Sequence, residues 1–283
     1  MKGGVAVAAV VLALLAPLLS AEASAEGPQP KTIEAWNAYV AATETRIESE
    51  LAATGAFLVS DRTDDRGVTR AAITRGAIPI ATLSTVDHSG RTLEVAGGTI
   101  AHWRGAVLLP GISLDALLHM LQHPNERGPY PEDVSSLRVL DRGPDRLTLA
   151  MRLSRTKIVT ATYDTEHVAS YQRLGPTRAS SKSVSTKIVE VANAGTSHER
   201  VLAAGQDRGF LWRMNSYWRY EEAPGGVLVE LESITLSRGI PRGLGMVLEP
   251  LIDRIARESV SRTLSSVRRL YSGTDPVRAA SPH

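Results

Sequence analysis

Ile33, Trp36, Val40, Ile47 and Leu51, with Thr43 or Glu44 keeping the register, recur every three or four positions. This spacing predicts an amphipathic helix that Thr32 caps and that ends before Gly55. Between Phe57 and Val95, β-branched residues cluster at Val68–Thr74, Ile78–Val86 and Thr92–Val95, with turn signals at Asp64-Asp65 and Ser89-Gly90. Short strands are expected there. A stronger strand, Thr99 to Leu109, stops at Pro110-Gly111, and Ser113 then caps a helix through Leu114, Leu117, Leu118 and Leu121 that His123-Pro124 ends.

The second half alternates with period two. Leu147, Leu149, Met151 and Leu153 fall on one face and Thr148, Ala150, Arg152 and Ser154 on the other; Val159, Ala161 and Tyr163 likewise oppose Thr160, Thr162 and Asp164. Further strands are expected at Ser183–Val191, Phe210–Glu221 and Val227–Arg238, joined by turns at Gly195 and at Pro224-Gly225-Gly226, so that the whole is an antiparallel meander. A one-residue slip in the last hairpin would exchange the faces of one strand, so its register can be chosen by the partition it produces. Placing Arg219 opposite Glu230 and Tyr217 opposite Glu232 gathers Arg213, Arg219, Glu230 and Glu232 on one face, as solvated cross-strand ion pairs. Phe210, Trp212, Met214, Trp218, Tyr220, Val227, Val229 and Leu231 then share the other face with Ser216, Ser233, Thr235 and Ser237. That mixture suits either the wall of a ligand cavity or a packed core whose hydroxyls bond to backbone.

The C-terminal segment carries two apolar stripes, Leu244, Leu248, Leu251 and Ile255, then Val260, Leu264, Val267 and Tyr271, rotated by roughly half a turn. A break near Ala256–Ser259 is expected. At the other end, Lys2, the apolar run Val5–Leu19 and Ala23-Ser24-Ala25 have the layout of a cleaved export signal, 1–25, and the run is shorter than the roughly 20 residues of a spanning helix. No integral membrane span is expected in the mature chain.

Composition narrows the chemistry. The 283 residues include no Cys, which excludes disulfides, thiolate catalysis and thiolate metal sites, and a net charge of +2 without a basic cluster argues against nucleic acid as a partner. No nucleophile elbow, P-loop or zinc-protease motif is present, and Gly243-Leu244-Gly245 lacks the third glycine of a dinucleotide site. Asp115, His119 and His123 stand at i, i+4 spacing but would converge poorly on a metal from one straight helix. No metal and no cofactor is expected.

The run Phe210-Leu211-Trp212-Arg213-Met214-Asn215-Ser216-Tyr217-Trp218-Arg219-Tyr220, then Gly225-Gly226-Val227, Glu230-Leu231-Glu232-Ser233-Ile234 and Gly243-Leu244-Gly245, resembles exported bacterial members of the START-like (SRPBCC) superfamily, which also holds Bet v 1-like proteins and polyketide cyclases. Ile100-Ala101-His102-Trp103-Arg104-Gly105 looks like the first strand of that group. The resemblance covers roughly Thr99 to Tyr271. It implies an α+β helix-grip fold, a curved antiparallel sheet wrapped around a C-terminal helix with a hydrophobic cavity between them, here with an extra N-terminal helix. The broken final helix and the single clear helix after the first strand depart from that pattern. Residues 31–95 are expected to pack on a main domain of 96–271, with a disordered tail, 272–283.

Two functions follow from the resemblance. One is an exported binding protein whose partner is a lipid or other hydrophobic small molecule, lined by Trp212, Met214, Trp218, Tyr220, Leu231, Tyr163 and His102. The other is a cyclase- or hydrolase-type enzyme using the same cavity, with His102, His167 and Tyr163 as proton carriers. The oligomeric state is left open.

Overall fold

The computed structural model describes residues 27–62, 68–156, 160–203, 205–239 and 245–272. The expected export signal, the Asp64-Asp65 turn, Gly243-Leu244 and the tail beyond Ser272 lie outside them. In chain order the elements are helix α1 (Pro30–Ala52), a 3-10 turn (Val59–Arg62), α2 (Val68–Thr74), β1 (Ile80–Thr82), β2 (Gly98–Pro110), α3 (Leu114–Gln122), β3 (Val134–Arg142), β4 (Arg146–Thr156), β5 (Thr160–Arg173), β6 (Arg178–Ala192), β7 (Arg200–Val201), β8 (Arg213–Ala223), β9 (Gly226–Arg238) and α4 (Gly245–Tyr271).

Strands pair in the order β1-β2-β9-β8-β6-β5-β4-β3, every pair antiparallel, with β7 on the edge of β6. The β8–β9 register is the expected one, Tyr217 opposite Glu232 and Arg219 opposite Glu230. The sheet has an inner face toward α4 and an outer face toward α1.

The inner face supplies the largest core. Trp103, Val107 and Leu109 of β2, Val227, Val229 and Leu231 of β9 and Tyr220 of β8 pack with Leu114 and Leu117 of α3 and Val260, Leu264 and Val267 of α4. Gly105 lets the helix approach closely: a Cβ there would stand 2.7 Å from Leu264 Cδ1 and 3.0 Å from Val260 Cγ1. On the far side of the helix, Arg155 of β4 donates to the Ile255 carbonyl (3.2 Å) and the Glu132 amide donates to Ser266 Oγ (3.2 Å). The sheet therefore reaches α4 from both sides, which is the α+β helix-grip arrangement, and from Glu258 to Ser272 only Arg269 is exposed.

Four expectations need correction. Helix α4 is continuous through the expected break at Ala256–Ser259. Val68–Thr74 is helical, since helical spacing seats Ile73 beside Phe57, Leu58 and Leu228. Helix α1 starts at Pro30 with Gln29 at the cap position, and Thr32 instead turns inward to donate to the Ala96 carbonyl (2.7 Å). Its buried stripe runs through Tyr39 rather than Val40. Residues 124–133 form turns and no second helix. No helix among the described residues is long and apolar enough to cross a membrane.

Candidate functional site

The inner face changes character along its length. At the end covered by α3, Val107, Leu109, Val227, Val229 and Leu231 are buried. Toward the other end, Ala101, Met214, Ser216, Trp218, Ser233, Thr235 and Ser237 stay half-buried although they face the helix. So does the matching wall of β4, Leu149, Met151 and Leu153. The inner face is thus sealed at the α3 end and less completely covered at the other. At the β1–β2 edge, largely on the side of α1, lies a groove of about 510 Å³ lined by residues that include Tyr39, Leu93, Thr99, Ile100 and Asp253.

Two polar groups project into this interior from β5. His167 is 1 % exposed, and neither its Nε2 nor the Tyr163 hydroxyl has a hydrogen-bond partner among the described residues. Burial alone pushes the His167 pKa down to about 4, so its imidazole is neutral near pH 7. Burial is also the main cause that raises the Tyr163 pKa, with the nearby Glu190 carboxylate adding to it. Buried polar groups usually find partners, and two orphans on one strand mark the interior as a place where something polar is missing.

The residues expected to line the cavity divide between the faces. Met214, Trp218, Tyr220, Leu231 and Tyr163 do stand on the inner face, Tyr220 with its hydroxyl on Ser181 Oγ (2.8 Å). Trp212 does not: β8 begins one residue later, so its alternation never reaches Trp212, which joins Trp36, Tyr39, Ile234 and Leu236 on the outer side and donates Nε1–H to Asp207 (3.1 Å). Phe210 is exposed beneath the Arg208 guanidinium. His102 also lies on the outer face, paired with Ile234 across the ladder. His102 thus cannot meet His167 or Tyr163, and those two, four residues apart on one strand, are separated by roughly 13 Å. The expected acid-base set does not converge.

The expectation of solvated ion pairs also fails. Arg219, Glu230 and Glu232 are buried beneath α1 and the 3-10 turn, and each finds its partner there rather than across the hairpin. Glu230 accepts from the amides of Val59 (2.8 Å) and Ser60 (2.9 Å). Arg219 donates to the Phe57 carbonyl (2.8 Å) and pairs with Glu50. Glu232 pairs with Arg46 and receives His102 Nε2 at 2.8 Å, while His102 Nδ1 lies 2.8 Å from the Tyr39 hydroxyl. Burial opposes the charge on Glu232, but the hydrogen bond from His102 and the Arg46 cation outweigh it and hold its pKa below the usual carboxylate range. An ionised Glu232 only accepts, so in the neutral imidazole Nε2 carries the proton and Nδ1 accepts from Tyr39. Tyr39 in turn accepts from the Thr85 amide (3.1 Å). Every atom of this relay is satisfied, which is the mark of a structural clamp. Sequence reasoning missed it because its members come from α1, β2 and β9, up to 186 positions apart in the Arg46–Glu232 pair.

On α3, Asp115 pairs with Arg173 while His119 and His123 stack at 4.3 Å. Among the described residues no group of three His, Asp or Glu side chains is placed to hold a metal.

No protein-family model matches this sequence, and no curated protein matches it. Structurally similar chains are START lipid-transfer and aromatase/cyclase proteins. Human StAR-related lipid transfer protein 5 is 12% identical with a TM-score of 0.45, over 84% of this chain and 96% of that one. A STAR-related lipid transfer protein from Xanthomonas axonopodis is 16% identical with a TM-score of 0.43, over 67% and 98%. The Zhui aromatase/cyclase from Streptomyces sp. R1128 is 12% identical with a TM-score of 0.38, over 65% and 100%. The likeness is remote.

Proposed function

We propose that this chain is an exported binding protein that holds a lipid or other hydrophobic small molecule between the inner face of its sheet and α4. The observation that carries this is the reachable half of the inner wall: Met214, Trp218, Leu149 and Met151 face the gripped helix and remain half-buried. Covering such a wall with an apolar ligand removes surface from water at about 25 cal/mol per Å², so a few hundred Å² is worth several kcal/mol. Export is read from the Val5–Leu19 run and Ala23-Ser24-Ala25.

Native mass spectrometry of the mature protein, followed by extraction of what co-purifies, tests the proposal. A stoichiometric hydrophobic molecule supports it. A protein that is empty and takes up none of a panel of added lipids contradicts it. Sequencing the amino terminus of the exported material checks cleavage after Ala25.

A further inference from the structure

Two hydrogen-bond donors without acceptors stand side by side on the inner face, at the end away from α3. Arg155 of β4 lies opposite Ala161 of β5, and the next inner pair along the same two strands is Leu153 with Tyr163. Arg155 and Tyr163 are therefore diagonal neighbours on one face, with Cα atoms roughly 7–8 Å apart, within the joint reach of a guanidinium and a phenol. The Arg155 guanidinium donates from Nη2 to the Ile255 carbonyl of α4 (3.2 Å), while its Nε–H is buried and has no partner among the described residues. The Tyr163 hydroxyl, on a residue that is 7 % exposed, is likewise buried and unpartnered among them.

The carboxylates near this pair are already engaged. Glu190 stands opposite Tyr163 on β6, but the Arg208 guanidinium and the Arg208 amide (2.9 Å) hold its two oxygens. Asp207 accepts from the Gly209 amide (2.7 Å) and from Trp212 Nε1 (3.1 Å). Among the described residues Arg155 makes no ion pair, so the positive charge here that lacks a counter-charge is its guanidinium. Tyr163 stays protonated near pH 7 because burial raises its pKa, and it too has a hydrogen to donate. From Leu153 the wall continues through Met151 and Leu149, half-buried apolar side chains on the same face. The other orphan, His167 Nε2, is four residues from Tyr163 along β5, roughly 13 Å, and cannot serve the same small group.

From this juxtaposition we infer that the ligand is an amphiphile with an anionic oxygen head group, which accepts from Arg155 Nε–H and the Tyr163 hydroxyl while its chain lies along Leu153, Met151 and Leu149. Hydrogen bonds to an ionised partner are about twice as strong as neutral ones, and the two oxygens of a carboxylate match two neighbouring donors. An alcohol brings no charge to the guanidinium, and an ammonium would add a second cation and leave both donors unpaired. The inference rests on the binding function proposed above and names the head group of its ligand.

The test uses one chain with three head groups: decanoate, 1-decanol and decylammonium, titrated at pH 7.5 into the full mature chain by isothermal calorimetry. Decanoate is expected to bind at least tenfold more tightly than either of the others. In Arg155→Met that preference is expected to fall to threefold or less. In Tyr163→Phe decanoate is expected to bind at least threefold more weakly, with 1-decanol within twofold of its wild-type affinity. Thermal melts check that both variants fold, and the comparison on the wild-type chain stands without them. A decanoate preference below tenfold in the wild type overturns the anionic head group while leaving a hydrophobic site in place. A preference above threefold in Arg155→Met, or decanoate binding unmoved by Tyr163→Phe, overturns the assignment to this pair of residues. Failure of all three probes to bind overturns the inference together with the binding function.

Discussion

Replacing Glu232 tests whether the buried relay beneath α1 holds the N-terminal segment to the sheet. Its side chain is 5 % exposed and holds two groups at once, the His102 Nε2–H at 2.8 Å and the Arg46 guanidinium. Glu232→Leu leaves an imidazole N–H without an acceptor and removes one of the two carboxylates facing Arg46, the other being Glu50 at 3.0 Å. Truncating one partner of a buried ion pair costs about 3–5 kcal/mol. With a urea slope of about 2.5 kcal/mol per M, the unfolding midpoint should fall by roughly 1–2 M. Glu232→Gln keeps an oxygen for His102 and loses only the charge, so about 1.5 kcal/mol is expected. The sign of the pH dependence follows from the lowered pKa. Stability from an ionised Glu232 is present above the unfolded value near 4.5 and is lost as pH falls through the folded value. The gap between wild type and Glu232→Gln should therefore be full at pH 7 and shrink below pH 4.5. Losses under 1 kcal/mol for both variants, with the same pH profile as wild type, would refute the clamp.

Three further outcomes are expected. Leu264→Ala, at a fully buried site against Gly105, should cost about 2–5 kcal/mol by urea unfolding, whereas Met214→Ala on the reachable wall should cost under about 1.5 kcal/mol. Gly226→Ala places a Cβ 2.0 Å from the Leu109 carbonyl oxygen, a backbone collision worth more than about 3 kcal/mol that should appear as loss of soluble protein. His167, with its pKa lowered from 6.5 to about 4, contributes about 3 kcal/mol above pH 6.5 that is lost as pH falls toward 4. His167→Leu should remove that slope, and an unchanged pH profile of melting temperature would sink the account.

The sequence made the β-meander, its last register and the final helix legible because each is fixed by short-range pattern. The β8–β9 register follows from charge and aromatic alternation within one hairpin, and Ser113 announces α3 by a cap that accepts from Ala116 (3.3 Å). What alternation does not show is what lies against each face. Arg219, Glu230 and Glu232 read as a wet face, yet α1 and the turn after it bring Glu50, Arg46 and two backbone amides to meet them. Val68–Thr74 reads as strand from its β-branched residues, yet Ile73 packs into a core that only the tertiary fold assembles, and such packing outweighs propensities of a few tenths of a kcal/mol. His102 beside Trp103 and His167 near Tyr163 both read as strand histidines, and nothing in the local pattern shows which face each one takes. The registers of the intervening strands put them on opposite faces.

The two faces together explain why the inner wall can stay partly open. An inner wall left half-buried forgoes burial that a filled core would gain, and the sheet that bears it must be held by other contacts. On β2, β8 and β9 those contacts are on the outer side: Trp36, Tyr39 and Ile47 pack over Ile234, Leu236 and Tyr217, and the polar chain from Tyr39 through His102 and Glu232 to Arg46 ties α1 to β2 and β9. The strands that carry Trp218, Ser216 and Ser233 inward carry Arg219, Tyr217 and Glu232 outward, so fixing the outer face also fixes the geometry of the inner one. Under the proposed binding function, the N-terminal segment supports the binding wall without lining it. Loosening it through Glu232 should weaken ligand retention as well as stability, although no atom of that clamp faces the ligand.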